Sequence, residues 1–189
     1  MSSDEKSRAI RSISMKEIPS GAIVHVWGLS LFGRLIRWYS NWKTGNKEMP
    51  NHTAVYFGSG RHEIVEAGKK VITNKLEVYF DSRHKVMISF YKDLKVQQLE
   101  VLKAYCYGSV GKPYDWPGIL AFLFKKVKDD PTKNFCDELV GEGYQRIDIK
   151  TSNCEDPSQA MPGDVYMYCE NHQQKWETVL LWCGEKWYK

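Results

Sequence analysis

Residues 51–67 predict a β-hairpin, which is the strongest indication of fold class in this chain. The runs 53–57 and 62–66 are rich in β-branched and aromatic residues, which favour strands. Between them, residues 58–60 read Gly-Ser-Gly, a composition typical of a tight turn. The hairpin therefore predicts antiparallel sheet in the first half of the chain.

The pairing predicted for this hairpin brings a histidine and a glutamate together. With Ser59 at the centre of the turn, His52 lies opposite Glu66 and Ala54 lies opposite Ile64. Directly opposed residues share a face of the sheet, with Cβ atoms about 4.5–5.5 Å apart. A carboxylate bound to one ring nitrogen fixes the other nitrogen as a base. The alternative is an exposed hairpin whose polar pair has no function.

A cysteine at the predicted start of a helix is a candidate nucleophile for this pair. Residues 134–146 predict a helix that begins near Cys136, with Asn134 as its N-cap and Asp137 and Glu138 in its first turn. The helix dipole favours the thiolate, and the N–H groups of the first turn can bind an oxyanion. Against this, the two acidic neighbours oppose thiolate formation. A structural cysteine at the start of a core helix is the alternative.

Length and composition indicate one globular domain with short extensions. The chain has 189 residues and a net charge of +4. This charge permits an anionic polymer as partner, but the chain lacks the basic stripe typical of nucleic-acid binding. Its five cysteines are irregularly spaced and include no Cys-x-x-Cys pair, so neither a disulfide framework nor a zinc site is predicted. We expect free thiols in a reducing compartment and no metal or cofactor.

Neither a secretory signal nor a transmembrane segment is predicted. Residues 1–17 form a polar extension without an apolar core, and the longest apolar run, 118–124, is too short to cross a bilayer. We expect synthesis in the cytoplasm. If the protein acts at the cell wall, we expect delivery by a route other than a secretory signal. The main domain is expected at 18–170. The aromatic segment 171–189 is expected to pack on that domain, with an added strand, a self-association surface or a substrate platform as alternatives.

The remaining pattern predicts an α+β fold with a small antiparallel sheet packed against helices. Strands are predicted at 22–27, 69–74 and 85–90, and helices at 31–39, 94–108 and 118–124. The helix at 31–39 is expected to pack against the core, although a role at a membrane surface or around a ligand is the alternative. The other four histidines, His25, His62, His84 and His172, have no comparable partner in the sequence.

Six short stretches together resemble a known family. They are residues 32–38 (FGRLIRW), 52–58 (HTAVYFG), 64–67 (IVEA), 110–116 (VGKPYDW), 135–140 (FCDELV) and 161–165 (MPGDV). With these six stretches in this order, the chain resembles the circularly permuted branch of the NlpC-type papain-like cysteine peptidases and amidases, the YiiX-like group. The resemblance implies a permuted papain-like domain in which the histidine strands precede the cysteine helix.

The resemblance implies that Cys136 is the nucleophile, His52 the general base and Glu66 the group that orients it. Tyr56 and Tyr114 lie in matching motifs and are candidates for substrate binding, with packing as the alternative for each. Two departures from the family are Ala22, where an acidic residue is common, and Asp137, which follows the cysteine where a serine is common.

The activity implied by the resemblance is hydrolysis of a peptide or amide bond, with bacterial cell-wall peptidoglycan peptides as the leading substrate. A lipid-directed hydrolase or acyltransferase of the same fold, in peripheral contact with a membrane, is the second hypothesis. A binding module that has lost its activity is the third. The sequence does not decide the oligomeric state.

Overall fold

A computed structural model describes residues 13–29, 33–34, 37–38, 41–42, 45, 48–58, 60–113, 136–156 and 160–184. The side chain of Cys136 lies outside the described part, although its backbone lies within it. Within these ranges the chain forms a six-stranded antiparallel sheet and three α-helices with described bounds. The α+β arrangement predicted from the sequence is confirmed.

The sheet places the predicted hairpin in its interior. Its strands are β1 (Ala22–Trp27), β2 (His52–Gly58), β3 (Glu63–Ala67), β4 (Val71–Lys75), β5 (Lys85–Tyr91) and β6 (Trp176–Cys183). Their order is β4-β3-β2-β1-β5-β6, and all neighbours are antiparallel. Strand β2, which begins with His52, therefore has a hydrogen-bonded neighbour on each side.

Burial follows the position of each strand in the sheet. All six residues of β1 are buried, because this central strand is covered on both faces, which explains its nearly unbroken apolar sequence. The edge strand β4 instead alternates between exposed and partly buried residues after its first position. The order of the strands thus agrees with their composition.

The helices are α1 (Val96–Gly108), α2 (Cys136–Gln145) and α3 (Pro162–Asn171). Pro162 opens α3, a position where its missing N–H leaves no intrahelical hydrogen bond unmade. In α1, Leu102 and Cys106 are buried one turn apart and form the stripe that packs on the domain. Two 3₁₀ turns, Met15–Glu17 and Leu76–Tyr79, complete the described elements.

The two faces of the sheet carry separate cores. Side chains alternate along a strand, so Val55 and Phe57 of β2 point to the face where they join Leu139 of α2 in one apolar cluster. Ala54 points to the other side, where the second cluster includes Leu76 of the 3₁₀ turn. We call these the helix face and the turn face. Helix α2 therefore packs on one side of β2, and the 3₁₀ turn packs on the other.

Most predicted elements are confirmed within a few residues. The strands β1, β4 and β5 and the helices α1 and α2 occur where the sequence predicts them. Of the helix predicted at 31–39, residues 33, 34, 37 and 38 are helical and the others lie outside the described residues. The helix predicted at 118–124 and the N-cap Asn134 also lie outside them.

The aromatic segment near the C-terminus contributes an edge strand. Strand β6 pairs with β5 from Tyr91↔Trp176 to Lys85↔Cys183. Trp176 is 1% exposed and contacts the rings of Tyr91 and Tyr144, with centroids 5.3 and 5.4 Å away. This part of the segment therefore belongs to the sheet and to the core on the helix face.

Candidate active site

The histidine and the glutamate of the hairpin lie on the same face through a register that differs from the predicted one. Ala54 pairs with Glu66, and Tyr56 pairs with Ile64. The prediction that His52 lies directly opposite Glu66 was therefore wrong by two positions. Because side chains alternate with a period of two, a shift of two positions keeps both residues on the turn face.

The conformation of the turn explains the shift. The turn is not centred on Ser59, because β2 ends at Gly58 and β3 begins only at Glu63. Gly58, Gly60 and His62 have φ angles of 74°, 71° and 50°, and the register is irregular between Tyr56 and Gly58. Left-handed residues and a bulge lengthen the connection. The longer connection moves the partners of β2 along β3.

A short hydrogen bond nevertheless joins the two side chains. His52 Nε2 lies 2.7 Å from Glu66 Oε2. The two residues are diagonal neighbours across the strands, a separation of about 7–8 Å that long side chains can bridge. The histidine side chain is 20% exposed and that of the glutamate is 6% exposed. The imidazole thus lies at the solvent boundary, with the carboxylate behind it.

The carboxylate of Glu66 is held in its ionised form by three side-chain donors. Burial by itself would raise its pKa, but hydrogen bonds from His52, Tyr79 and Asn74, together with the charge of His52, outweigh burial and lower the pKa to about 2. Glu66 is therefore negatively charged throughout the physiological range. A permanently charged acceptor suits the role of orienting an imidazole.

The contact with Glu66 also assigns the two ring nitrogens of His52. An ionised carboxylate can only accept a hydrogen bond, so Nε2 is the nitrogen that carries the proton. In the neutral ring, Nδ1 is then the basic nitrogen. The geometry thus matches the base–orienter half of a nucleophile–base–orienter triad.

Helix α2 lies alongside β2 with both elements beginning at the same end. At this end, Thr53 Oγ1 donates a hydrogen bond to Asp137 Oδ1 at 2.8 Å. At the other end, the hydroxyl of Tyr144 donates to the carbonyl of Gly21, whose N–H bonds the carbonyl of Tyr56. The backbone of the first helical residue therefore lies at the level of the first residue of the strand.

The first turn of α2 is buried against the helix face of β2. Asp137 and Glu138 are each 3% exposed. Thr53, which binds Asp137, follows His52 directly and points to the opposite face of the sheet from it. The chain neighbours of Cys136 and His52 are therefore in direct contact, while the imidazole itself lies on the turn face.

The structure places the first of the two candidate substrate-binding tyrosines in the core. Tyr56 is 3% exposed on the turn face, and its hydroxyl lies 2.9 Å from Nδ1 of His62. Burial raises its pKa, with a smaller effect from the charge of Glu77. This environment agrees with the packing alternative, and substrate binding stays a prediction. Tyr114 lies outside the described residues.

A second histidine–carboxylate pair was missed by the sequence reasoning. His84 Nδ1 lies 2.7 Å from Asp81 Oδ1, so the expectation that this histidine has no comparable partner was wrong. The signal was the spacing of three residues within a turn, whereas cross-strand pairing relates residues that are farther apart in the chain. His25 has a different environment: it is fully buried, its Nε2 lies 2.9 Å from Ser89 Oγ, and burial lowers its pKa to about 3.

The sequence reasoning also missed two residues that contact Glu66. Asn74 Nδ2 donates to Glu66 Oε1 at 2.8 Å, and the Tyr79 hydroxyl donates to Glu66 Oε2. Asn74 lies opposite Ile64 in the β3–β4 pair. It therefore lies on the same face of the sheet as Ile64 and Glu66, a relation that the strand pairing predicts. Tyr79 ends a 3₁₀ turn and carries no sequence signal that relates it to Glu66.

The residues that the structure describes contain no group of three or more His, Cys, Asp or Glu side chains placed to hold a metal ion. None of the helices in this part of the chain has the length and apolar character needed to cross a membrane.

Comparison with protein families gives one match that covers most of the chain. Residues 17–176 match the model of the permuted papain-like amidase enzymes of the YaeF/YiiX family. A search of curated protein sequences found no match. The matched segment includes β1 to β5, the three helices and the His52–Glu66 pair.

Proposed function

The chain belongs to the permuted papain-like amidase family, and from this we propose that it is a cysteine hydrolase of peptide or amide bonds. In this proposal Cys136 is the nucleophile, His52 the general base and Glu66 the orienting group. The observation that supports it most is the 2.7 Å hydrogen bond between His52 Nε2 and Glu66 Oε2. This bond leaves Nδ1 as the nitrogen that takes the thiol proton.

The proposed reaction is acyl transfer to water in two steps. His52 takes the proton of the Cys136 thiol, the sulfur attacks the amide carbon, and the tetrahedral intermediate collapses as the imidazolium protonates the leaving amine. Water then attacks the thioester with His52 as base, which releases the carboxylic acid and restores the thiol. Glu66 stays ionised throughout and stabilises the imidazolium formed in each step.

The position of α2 supports a nucleophile at its first residue. In this proposal, backbone N–H groups at the start of the helix stabilise the developing oxyanion. The buried Asp137 beside the cysteine accepts a hydrogen bond from Thr53, which ties this turn to the strand of the base.

We propose cell-wall peptides as the leading substrate. The family is one of amidases, and a net charge of +4 favours adsorption to an anionic polymer. Delivery of the protein to the wall is part of this proposal. Release of new amino termini from purified peptidoglycan, with Cys136→Ala as control, would support it.

Selective alkylation tests the catalytic assignment without knowledge of the substrate. We expect iodoacetamide near neutral pH to label Cys136 before the other four thiols, and His52→Ala to slow this labelling. Mass spectrometry of the digested protein identifies the modified thiol. Equal labelling of all accessible thiols would contradict the proposal and would favour a binding module.

A lipid-directed hydrolase is the second candidate, and one observation favours it. Trp38 and Trp42 are helical residues with exposed fractions of 63% and 70%, and Arg34 one turn earlier is also exposed. Exposed indoles next to cationic side chains are typical of surfaces that lie at a lipid interface. Release of acyl chains from phospholipid or acyl-amide substrates, and not of amino termini from peptidoglycan, would select this candidate.

A further inference from the structure

The carboxylate of Glu66 is held by side chains from three different elements. His52 on β2 donates to Oε2, and the hydroxyl of Tyr79 in the 3₁₀ turn donates to the same oxygen. Asn74 on β4 donates to Oε1 at 2.8 Å. Glu66 is 4% exposed, so these contacts replace most of its hydration. Each oxygen has a protein donor, and the oxygen that faces the histidine has two.

The ring of Tyr79 is itself placed by its neighbours. Its centroid lies 5.9 Å from that of His52 and 5.4 Å from that of His84, with the second pair in an edge-to-face arrangement. His84 in turn is bound to Asp81. Its contacts with the two histidine rings limit how far the tyrosine ring can move away from Glu66.

We infer that Tyr79, assisted by Asn74, is a positioning residue that fixes the Glu66 carboxylate in the orientation from which Oε2 binds His52. The inference rests on the proposed function of Cys136 and His52 and adds to it two residues that act through Glu66. Neither residue needs to contact the substrate for this role.

The physical reason is that a carboxylate does not hold its own orientation. The terminal torsion of a glutamate side chain is broad and roughly two-fold, so an isolated carboxylate samples many orientations. Donors on both oxygens restrict this torsion. Hydrogen bonds to the charged form also favour ionisation, which agrees with the pKa of about 2. Loss of one donor would both release the torsion and allow protonation of Glu66 at a higher pH.

Tyr79→Phe tests this inference because it removes the hydroxyl and keeps the ring. The measurement is the rate of alkylation of Cys136 by iodoacetamide as a function of pH, with the fold checked by circular dichroism. At neutral pH we expect a roughly tenfold slower rate, the effect of losing one hydrogen bond to a charged group. We also expect the acidic limb of the profile to move to higher pH. For Asn74→Ala, whose contact is with the other oxygen, we expect a smaller change in the same direction.

Tyr105→Phe is the matched control. The hydroxyl of Tyr105 donates to Glu142 Oε2 at 2.5 Å, so this variant also removes a tyrosine–carboxylate hydrogen bond, but one between α1 and α2 that does not involve Glu66. We expect its alkylation profile to match that of the wild type. A general loss of stability from removing such a bond would appear in both variants.

A double-mutant cycle with Glu66→Gln separates positioning from packing. If Tyr79 acts through the carboxylate, Tyr79→Phe has no further effect on the rate once Glu66 has been replaced. A slower rate that persists in the Glu66→Gln background would overturn the inference, because the tyrosine would then act through packing. A wild-type profile for Tyr79→Phe would overturn it as well.

A wrong catalytic assignment would give different alkylation results from a wrong role of Tyr79. If Cys136 of the wild-type protein is not alkylated faster than the other thiols, or if His52→Ala leaves its rate unchanged, the catalytic assignment itself is wrong. If Cys136 is selectively labelled in a His52-dependent manner while Tyr79→Phe behaves as Tyr105→Phe does, only the role of Tyr79 is wrong.

Discussion

Thr53 on β2 donates a buried hydrogen bond to Asp137 on α2, and each of these residues is the chain neighbour of a proposed catalytic residue. Thr53 follows His52, and Asp137 follows Cys136. Both partners are nearly inaccessible to solvent, with exposed fractions of 0% and 3%. This bond therefore fixes the position of α2 relative to the start of β2.

Thr53→Val should reduce the free energy of unfolding by about 1–3 kcal/mol, because a buried carboxylate loses a donor while the side-chain volume is kept. Chemical denaturation measures this change. We also expect slower alkylation of Cys136, since the first turn of α2 is held less firmly. Thr73→Val on the exposed side of β4 is the control and should change neither quantity. Equal stabilities of the two variants would contradict a structural role for the Thr53–Asp137 bond.

Glu66→Gln should change how stability depends on pH. The pKa of Glu66 is lowered from 4.5 to about 2 in the fold, so its charge stabilises the folded state above pH 4.5, and this contribution is lost as the pH falls toward 2. A depression of this size corresponds to roughly 3 kcal/mol. We expect the stability difference between wild type and Glu66→Gln to shrink by about this amount over that range.

Denaturant unfolding at a series of acidic pH values checks this expectation. Asp81, whose pKa is also about 2, is present in both proteins, so its contribution cancels in the difference. A difference that stays constant with pH would mean that Glu66 is not held in its charged form by its neighbours.

Two of the cysteines should resist alkylation in the folded protein. Burial raises the pKa of Cys106 to about 12 and raises that of Cys169 further, and both side chains are 0% exposed. A thiol that is both inaccessible and protonated reacts slowly. We expect neither to be labelled by iodoacetamide under mildly alkaline conditions, and both to be labelled once the protein is unfolded in urea. Rapid labelling of Cys106 in the folded state would contradict its place on the buried stripe of α1.

Gly143→Ala should destabilise the contact between α1 and α2. A Cβ atom at this position would lie 2.8 Å from Leu102 Cδ1 and 3.2 Å from Tyr105 Cδ1. Since Leu102 is fully buried, the clash should outweigh the gain of about 1 kcal/mol in helix propensity and leave a net loss of about 1–2 kcal/mol. At Gly108, the last residue of α1, a Cβ meets no atom within 4 Å. Gly108→Ala should therefore be neutral or stabilising in the same unfolding assay.

Trp176→Ala should be far more destabilising than Trp182→Ala, although both residues lie on β6. Trp176 is 1% exposed and packs between Tyr91 and Tyr144, so its truncation should cost about 3–5 kcal/mol. Trp182 is 36% exposed and stacks on Phe80 near the surface. Similar melting temperatures for the two variants would argue against an integral role for β6 in the domain.

Local sequence patterns were sufficient for most elements of the fold. The apolar run of β1, the helical spacing of Leu102 and Cys106 in α1 and the helix that starts at Cys136 depend on residues close together in the chain. The contact between His52 and Glu66 was also predictable, because a period of two fixes the face of a residue even when the register is shifted by two positions.

The register and the surroundings of the carboxylate were not predictable in this way. The backbone angles at Gly58 and His62 set the length of the turn, and composition alone does not specify them. Asn74 and Tyr79 reach Glu66 only because the chain returns after β3 to form β4 and the following 3₁₀ turn.

Local periodicity thus specifies which residues share a strand, a helix or a face, since those relations follow from the periods of the backbone. The donors that surround Glu66 and the place of α2 beside β2 do not follow from periodicity. Those relations depend on contacts between distant segments, whose geometry is set by packing of the whole domain.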